Sequence, residues 1–412
     1  MVAIDNYKIS PNRKVIDDLD IQIIYIPLIS KLGYPYRPKV KVGEYVCIGT
    51  VLGESTAIDF PLLSTVSGTV VGLEDKYIAN NKLVKCIVIE NDFKDKYLNK
   101  PGSKRNINNL NKEEFLYALS RCGITDMSGS DYPVYLKYME DTKFKYLVID
   151  ATDYEVLKSS DSALLYNNVE EILEVMDAIM DIMKIKKGYI AISEDNSLVI
   201  KRVLKHINTY PNIKIYPAIN AFPSGHSKCL IRDILDISYK KYPSDAGIVY
   251  ENVATIYAIY EALKYDKPVT ERIISLSGKG IKNPCNYKVR IGTNLDELLE
   301  KTDNYKKINN PILVVNGLMM GTAINDKNLI ITKDVHTISI VENKVDNVSE
   351  CIKCGKCSEV CPVNLIPSLI IKTKDKKNRP DKCIECGLCS YVCPAKIDIR
   401  EIIKSIKDDK NE

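Results

Sequence analysis

Nowhere in these 412 residues do eighteen apolar residues run together, and Met1-Val-Ala-Ile-Asp-Asn-Tyr7 offers no basic stretch leading into an apolar one. The first absence leaves no segment suited to cross a bilayer as a helix, and the second leaves no secretory leader. A cytoplasmic protein is expected, with membrane association at most peripheral. Charge of one sign is also lacking: 58 Lys and Arg stand against 54 Asp and Glu, a net +4, which gives no reason to expect nucleic acid as a partner. The most basic stretch, Lys372 to Lys382, reads as a solvated connector.

Cysteine, by contrast, is plentiful. Eight of the 13 cysteines fall in two copies of one pattern, Cys351-Ile-Lys-Cys354-Gly-Lys-Cys357-Ser-Glu-Val-Cys361-Pro362 and Cys383-Ile-Glu-Cys386-Gly-Leu-Cys389-Ser-Tyr-Val-Cys393-Pro394. Each is C-x2-C-x2-C-x3-C-P, the spacing of a protein built around two [4Fe-4S] clusters. Three thiolates two residues apart wrap one cubane from a tight loop, and the fourth, on the following helix, reaches the other cubane. Cys351, Cys354, Cys357 and Cys393 are therefore expected on one cluster, and Cys383, Cys386, Cys389 and Cys361 on its partner. Gly355 and Gly387 clear space for backbone N–H groups near sulfur, and Pro362 and Pro394 turn the chain away. Structural zinc sites separate their C-x2-C pairs by a dozen or more residues, and disulfides belong to oxidising compartments. Both fit this pattern poorly.

A chain that is 45% hydrophobic at this length can bury two or more cores. From about Ile21 to Asn91, short alternating strands meet Gly and Pro turns, as in Pro38-Lys-Val-Lys-Val-Gly-Glu-Tyr-Val and Leu63-Ser-Thr-Val-Ser-Gly-Thr-Val-Val-Gly. This has the form of a barrel-sandwich of the biotinyl/lipoyl type. No lysine sits at a hairpin tip to carry a swinging group, so a structural role is expected. A polar linker over Asn99 to Asn111 follows. Lys145-Tyr-Leu-Val-Ile-Asp, Lys187-Gly-Tyr-Ile-Ala-Ile-Ser and Ile213-Lys-Ile-Tyr-Pro then read as buried parallel strands. Between the first two, Val169 to Lys186 carries a helical apolar face of Ile172, Val175, Met176, Ile179 and Met183. Such α/β layers bind ligands at the strand C-termini.

Taken together, Ile26-Pro-Leu-Ile-Ser-Lys-Leu-Gly, Val66-Ser-Gly-Thr-Val, Tyr216-Pro217 through Lys228-Cys-Leu-Ile, Val249 to Tyr260 with Asn252 and Val253, Asn283-Pro-Cys-Asn, Gly317-Leu-Met-Met-Gly321 and both cysteine motifs resemble RnfC of the Rnf electron-transport complex and its soluble relatives. The middle of the chain is similar to the flavin-bearing, NADH-oxidising subunit of respiratory complex I. The resemblance implies a multidomain α/β and α+β protein in four parts. These are a barrel-sandwich hybrid (1–98), a Rossmann-like α/β domain of FMN/NADH type (105–267), an SLBB-like β-grasp domain (268–345) and a ferredoxin-type domain for two [4Fe-4S] clusters (346–412). FMN-binding members carry a loop G-x-G-G-A-G-F-P-x-x-x-K, where this chain has Asp126-Met-Ser-Gly129-Ser-Asp131-Tyr-Pro133-Val-Tyr-Leu-Lys137. Two acids thus stand near the place of a phosphate, each costing at least ~1 kcal/mol at about 4 Å. The family's E-C-E-P is here Asp153-Tyr-Glu155-Val. Two readings stay open: FMN binds in an altered mode through Gly129, Lys137, Asp153 and Glu155, with NADH as the partner that the resemblance implies, or the pocket is structural or shaped for something else.

Of the five other cysteines, Cys47 and Cys86 read as small buried hydrophobes, and Cys122 and Cys229 are ambiguous. Cys285 stands in Gly278-Lys-Gly-Ile-Lys-Asn-Pro-Cys285-Asn, and the nearby Lys279 and Lys282 suggest an exposed, reactive thiolate with a catalytic part in thiol–disulfide exchange. That cysteine points to the soluble RnfC-like branch associated with D-proline reductase. The expected function is an oxidoreductase component relaying NADH-derived electrons through two [4Fe-4S] clusters to a redox partner, proline reductase. The alternatives are RnfC proper among the other Rnf complex subunits, a cobalamin-reductase-like flavoprotein, or a non-catalytic adaptor whose flavin domain is degenerate.

Overall fold

A computed structural model describes residues 14–408 apart from 18, 103, 141, 325 and 344–346. The first thirteen residues, on which the leader argument rests, and the last four lie outside the described residues. Among the described residues no helix is long and apolar enough to cross a membrane.

The first part is two small antiparallel sheets facing one another. One has the order Ile23–Pro27, Leu83–Asn91, Gly68–Tyr77, Tyr45–Val46, and the other Tyr36–Pro38, Val51–Ser55, Pro61–Leu63. Alternation puts Ile24, Ile26, Leu52, Val70, Ile87 and Ile89 between them. The described start of the chain, however, joins another sheet: Val15–Ile16 pairs in parallel with Asn286 and Tyr287.

The α/β domain holds four parallel strands in the order Ile213–Ala218, Lys187–Ser193, Tyr146–Ala151, Ile248–Asn252. Side chains two residues apart share a face. Leu147, Ile149, Ile190 and Ile192 meet the helices Lys112–Arg121, Val169–Ile182 and Val253–Tyr265, while Val148, Ala191 and Ile248 meet the helix Ser227–Leu235. Helix Val169–Ile182 buries Ile172, Val175, Met176 and Ile179 as its periodicity predicts, with Met183 at the cap. Each strand enters its loop at the same sheet edge, where the site is built.

Six strands form the β-grasp sheet, in the order Val15–Ile16, Cys285–Arg290, Glu271–Ser277, Thr337–Glu342, Pro311–Val315, Thr322–Ile324, with helix Leu295–Lys301 packed on it. In the cysteine-rich part each C-x2-C-x2-C run leads into a one-turn helix, Lys356–Glu359 or Leu388–Tyr391, capped by Gly355 (φ +81°) or Gly387 (φ +78°). Helices Pro367–Thr373 and Ile399–Asp408 close over a core of Leu365, Ile370, Ile399 and Ile403.

Candidate flavin cavity and cluster sites

At the C-terminal edge of the parallel sheet lies a cavity of about 300 Å³. Asp150 and Asn252 reach it from strand ends, Ser128 and Gly129 from the altered loop, Tyr154, Glu155 and Lys158 from the loop after the first strand, and His226 and Ser227 from a helix start. The β-grasp domain adds Asn316, Met320 and His336, and the barrel-sandwich adds Lys31. Three domains therefore share one wall.

The wall is poor in free charge. Glu155 is 4% exposed; its carboxylate accepts N–H bonds from Met319 (3.3 Å) and Met320 (3.0 Å). Burial outweighs those bonds and raises its pKa to about 7. Burial likewise lifts Asp150 to about 6, although Thr152 donates to it through N–H (2.9 Å) and hydroxyl (2.7 Å). His226 accepts the Lys228 N–H at Nδ1 (3.2 Å), so its proton sits on Nε2. Burial, with Lys228 adding to it, brings its pKa down to about 4. His336, buried with Nδ1 2.9 Å from Thr337 Oγ1, is held well below the usual imidazole range, mainly by burial. The two lysines are committed. Lys31 bridges Asp334 (3.1 Å) and the Gly129 carbonyl, and Lys158 bridges Asp161 and Asp153 (3.8 Å).

Of the four residues predicted for the flavin, Gly129 and Glu155 line the cavity; Lys137 and Asp153 are absent from its wall. Lys137 is drawn under the loop by Glu251 (3.0 Å) and Asp126 (3.2 Å), and together these outweigh burial and raise its pKa. Asp153 accepts the N–H groups of Asp161 (3.2 Å) and Ser162 (2.8 Å), tying down the first turn of helix Ser160–Asn167. The two acids expected to repel a phosphate are also off the wall. Asp126 faces Lys137 and Ser128, and Asp131 lines a separate cleft of about 70 Å³ with Lys333 and Asp334.

A flavin fits the residues present. The Asn252 side chain is 1% exposed, lines the cavity, and leaves its Nδ2 without a hydrogen-bond partner, a state that calls for an acceptor from a ligand. Because Lys31 and Lys158 are paired and the Ser128 hydroxyl donates to Asp126 (2.5 Å), a phosphate would be met by neutral donors: the Asn252 amide and, with Tyr239 donating to its oxygen, the Ser227 hydroxyl.

Cys361, Cys383, Cys386 and Cys389 surround one small void with Pro362, Ile384, Leu388 and Ile403, the fourfold grouping that the spacing predicts. Two sulfurs already accept backbone N–H bonds, Cys361 from Leu365 (3.3 Å) and Cys383 from Glu385 (3.4 Å), the kind of bond that tunes a thiolate cluster. Among the described residues no three His, Cys, Asp or Glu side chains converge on a single metal-ion position; four thiols around a void suit a cubane. The second set is nearer solvent. Cys351 and Cys354 are exposed, Cys357 is buried, and Cys393 is half-buried.

The inner set and the cavity share a partition. Cys386, Ile384 and Leu388 pack with Phe222, Tyr154, Met319 and Met320, and of these Tyr154 and Met320 also line the cavity. The loop Gly317-Leu-Met-Met-Gly321 forms much of it. A Cβ on Gly317 (φ +103°) would fall 2.3 Å from the Glu155 carboxylate, and one on Gly387 would fall 2.8 Å from the Met319 carbonyl. The sequence showed this glycine-bracketed loop but not its role. Asp150, Lys158, His226 and His336 also went unassigned, since nothing local in the sequence marks them.

Cys285 departs most from expectation. It is 8% exposed, begins a strand in the β-grasp core and has Sγ 3.3 Å from the Asn283 carbonyl. Lys279 turns to Glu342 and Lys282 to Asp303, and burial raises the thiol's pKa. An exposed thiolate is not what the structure places there.

A parallel α/β layer with a flavin-sized cavity, joined through one partition to a double four-cysteine module, defines an iron–sulfur flavoprotein-type electron carrier. Residues 2–94 match the RnfC barrel sandwich hybrid domain, 119–261 the Nuo51 FMN-binding domain and 350–397 a 4Fe-4S dicluster domain. The C-subunit of the ion-translocating oxidoreductase complex of Buchnera aphidicola from Acyrthosiphon pisum is 31% identical over 82% of this chain and 73% of its own length. The C-subunit of the proton-translocating ferredoxin:NAD(+) oxidoreductase complex of Clostridium ljungdahlii is 29% identical over 84% and 77%. Its Na(+)-translocating counterpart in Acetobacterium woodii is 28% identical over 84% and 80%. The chain belongs to this RnfC family, and it is an electron-transfer protein with flavin-type and iron–sulfur domains.

Proposed function

We propose that the chain moves electrons between a nicotinamide nucleotide at the flavin cavity and a redox partner, as the RnfC component of a ferredoxin:NAD oxidoreductase complex, through two [4Fe-4S] clusters. Cys361, Cys383, Cys386 and Cys389 hold the inner cluster; Cys351, Cys354, Cys357 and Cys393 hold the outer one. The observation that carries this reading is the shared partition: Tyr154 and Met320 touch the cavity on one side and the Cys386 loop on the other.

NADH would leave as NAD+ after giving up a hydride, which is two electrons and one proton; clusters held by the two cysteine sets would accept one electron each, and the proton would go to solvent or a nearby base. A bound flavin supplies the division of the pair into single electrons. Asn252 and Gly129 receive and orient the ligand, and the apolar partition keeps water from the path. Glu155, with a pKa of about 7, can hold the proton at the cavity wall. With Cys351 and Cys354 exposed, a cluster held there would be within reach of another protein.

The relatives favour the complex over the proline-reductase branch, whose support in this chain was the reactive Cys285. The test is anaerobic purification followed by iron analysis, acid release of flavin and reduction with NADH. About eight irons per chain, one flavin and NADH-driven bleaching of the cluster absorbance are expected. Zinc in place of iron would overturn the cluster assignment. Clusters without flavin or NADH response would leave the adaptor reading instead.

A further inference from the structure

The partition loop is gripped from both sides. On the cavity side Glu155 accepts the N–H groups of Met319 and Met320. On the cluster side the Arg400 guanidinium donates to the carbonyls of Met319 (2.9 Å), Met320 (2.8 Å) and Gly321 (both nitrogens at 3.3 Å). Arg400 is itself fixed to the inner cysteine loop: its backbone N–H donates to Ser390 Oγ (2.8 Å), one residue past Cys389. A planar fork with several donors can hold three carbonyls at once, which an ammonium cannot.

We propose that Arg400 is a positioning residue for electron passage, setting the Tyr154–Met320 partition at a fixed thickness between the cavity and the inner cluster. Its side chain also borders the void that the inner cysteines surround, and it acts on the partition through the loop. The proposal rests on the function given above. Each electron that crosses comes from NADH, two per hydride, with NAD+ and a proton as the other products and one reduced cluster per electron.

The experiment uses the full chain, purified anaerobically, as wild type, Arg400→Gln and Arg400→Lys. Stopped-flow mixing with NADH follows flavin bleaching and cluster bleaching separately. In both variants flavin reduction and the KM for NADH should stay at wild-type values, and dithionite should reduce both clusters as in wild type. The cluster phase driven by NADH should slow by about 10–100-fold, the loss that ~1 Å of misplacement can bring. Hydrogen exchange at the Met319 and Met320 amides, which needs no flavin, should quicken about tenfold or more once the loop loosens. An unchanged cluster phase, or unchanged amide exchange, overturns the proposal. Loss of iron in Arg400→Gln hands the decision to Arg400→Lys, which keeps the stem and the charge; loss of iron in both makes the residue scaffolding of the cluster module and also overturns it. A wild type that does not respond to NADH sinks the functional reading itself, while the amide exchange still decides whether Arg400 holds the loop.

Discussion

Replacing Glu155 with glutamine separates the charge of this side chain from its shape. Burial raises the carboxyl from 4.5 to about 7, so the folded protein binds this proton more tightly than the unfolded chain does. The linked stability is therefore greatest below the unfolded pKa and is lost as pH rises toward 7. At about 1.4 kcal/mol per pH unit, the ionised group costs on the order of 3 kcal/mol above that range. Glutamine removes this cost, but its amide nitrogen can no longer accept one of the N–H bonds from Met319 and Met320, a loss of about 1–2 kcal/mol. Glu155→Gln should therefore leave the protein slightly less stable than wild type near pH 5.5 and more stable, by about 1–2 kcal/mol, near pH 8. Urea titrations of both proteins under anaerobic conditions measure the difference at each pH. A difference that is the same at both pH values would refute the reasoning, because it would mean that Glu155 is ionised throughout.

Two further outcomes follow from packing. Gly317→Ala puts a methyl group 2.3 Å from the Glu155 carboxylate at φ +103°, so it should destabilise the protein by on the order of 3–5 kcal/mol through backbone strain and displaced hydrogen bonds; a melting temperature within a degree of wild type would contradict this. Cys285, buried with a raised pKa, should resist iodoacetamide at pH 8 in the folded protein, and Cys285→Ser should leave NADH-driven cluster reduction unchanged; labelling as fast as a free peptide thiol would restore the reactive reading.

What the sequence made legible was local. Cysteine spacing is a property of eleven consecutive residues, and it led to the grouping of Cys361 with Cys383, Cys386 and Cys389 that the structure shows around one void. The parallel strands were equally readable, because an apolar run records burial on both faces. Contacts across the chain were not. Lys137 read as a flavin-binding residue because its partner Glu251 lies 114 positions away. Asp126 and Asp131 read as charges in the path of a ligand, although where a carboxylate turns depends on the lysines folded against it. Cys285 read as activated by Lys279 and Lys282, whose carboxylate partners Glu342 and Asp303 are distant in sequence. The partition loop stood in plain view as Gly317-Leu-Met-Met-Gly321, yet Glu155 and Arg400, which give it meaning, are 165 and 80 residues from Met320.

Lys31 reaches the cavity from the barrel-sandwich, while Asn316, Met320 and His336 reach it from the β-grasp domain. No one domain encloses the pocket, so a flavin seated there would be fully walled in only once all three have docked. A fragment lacking the N-terminal sandwich would lack Lys31 at that wall.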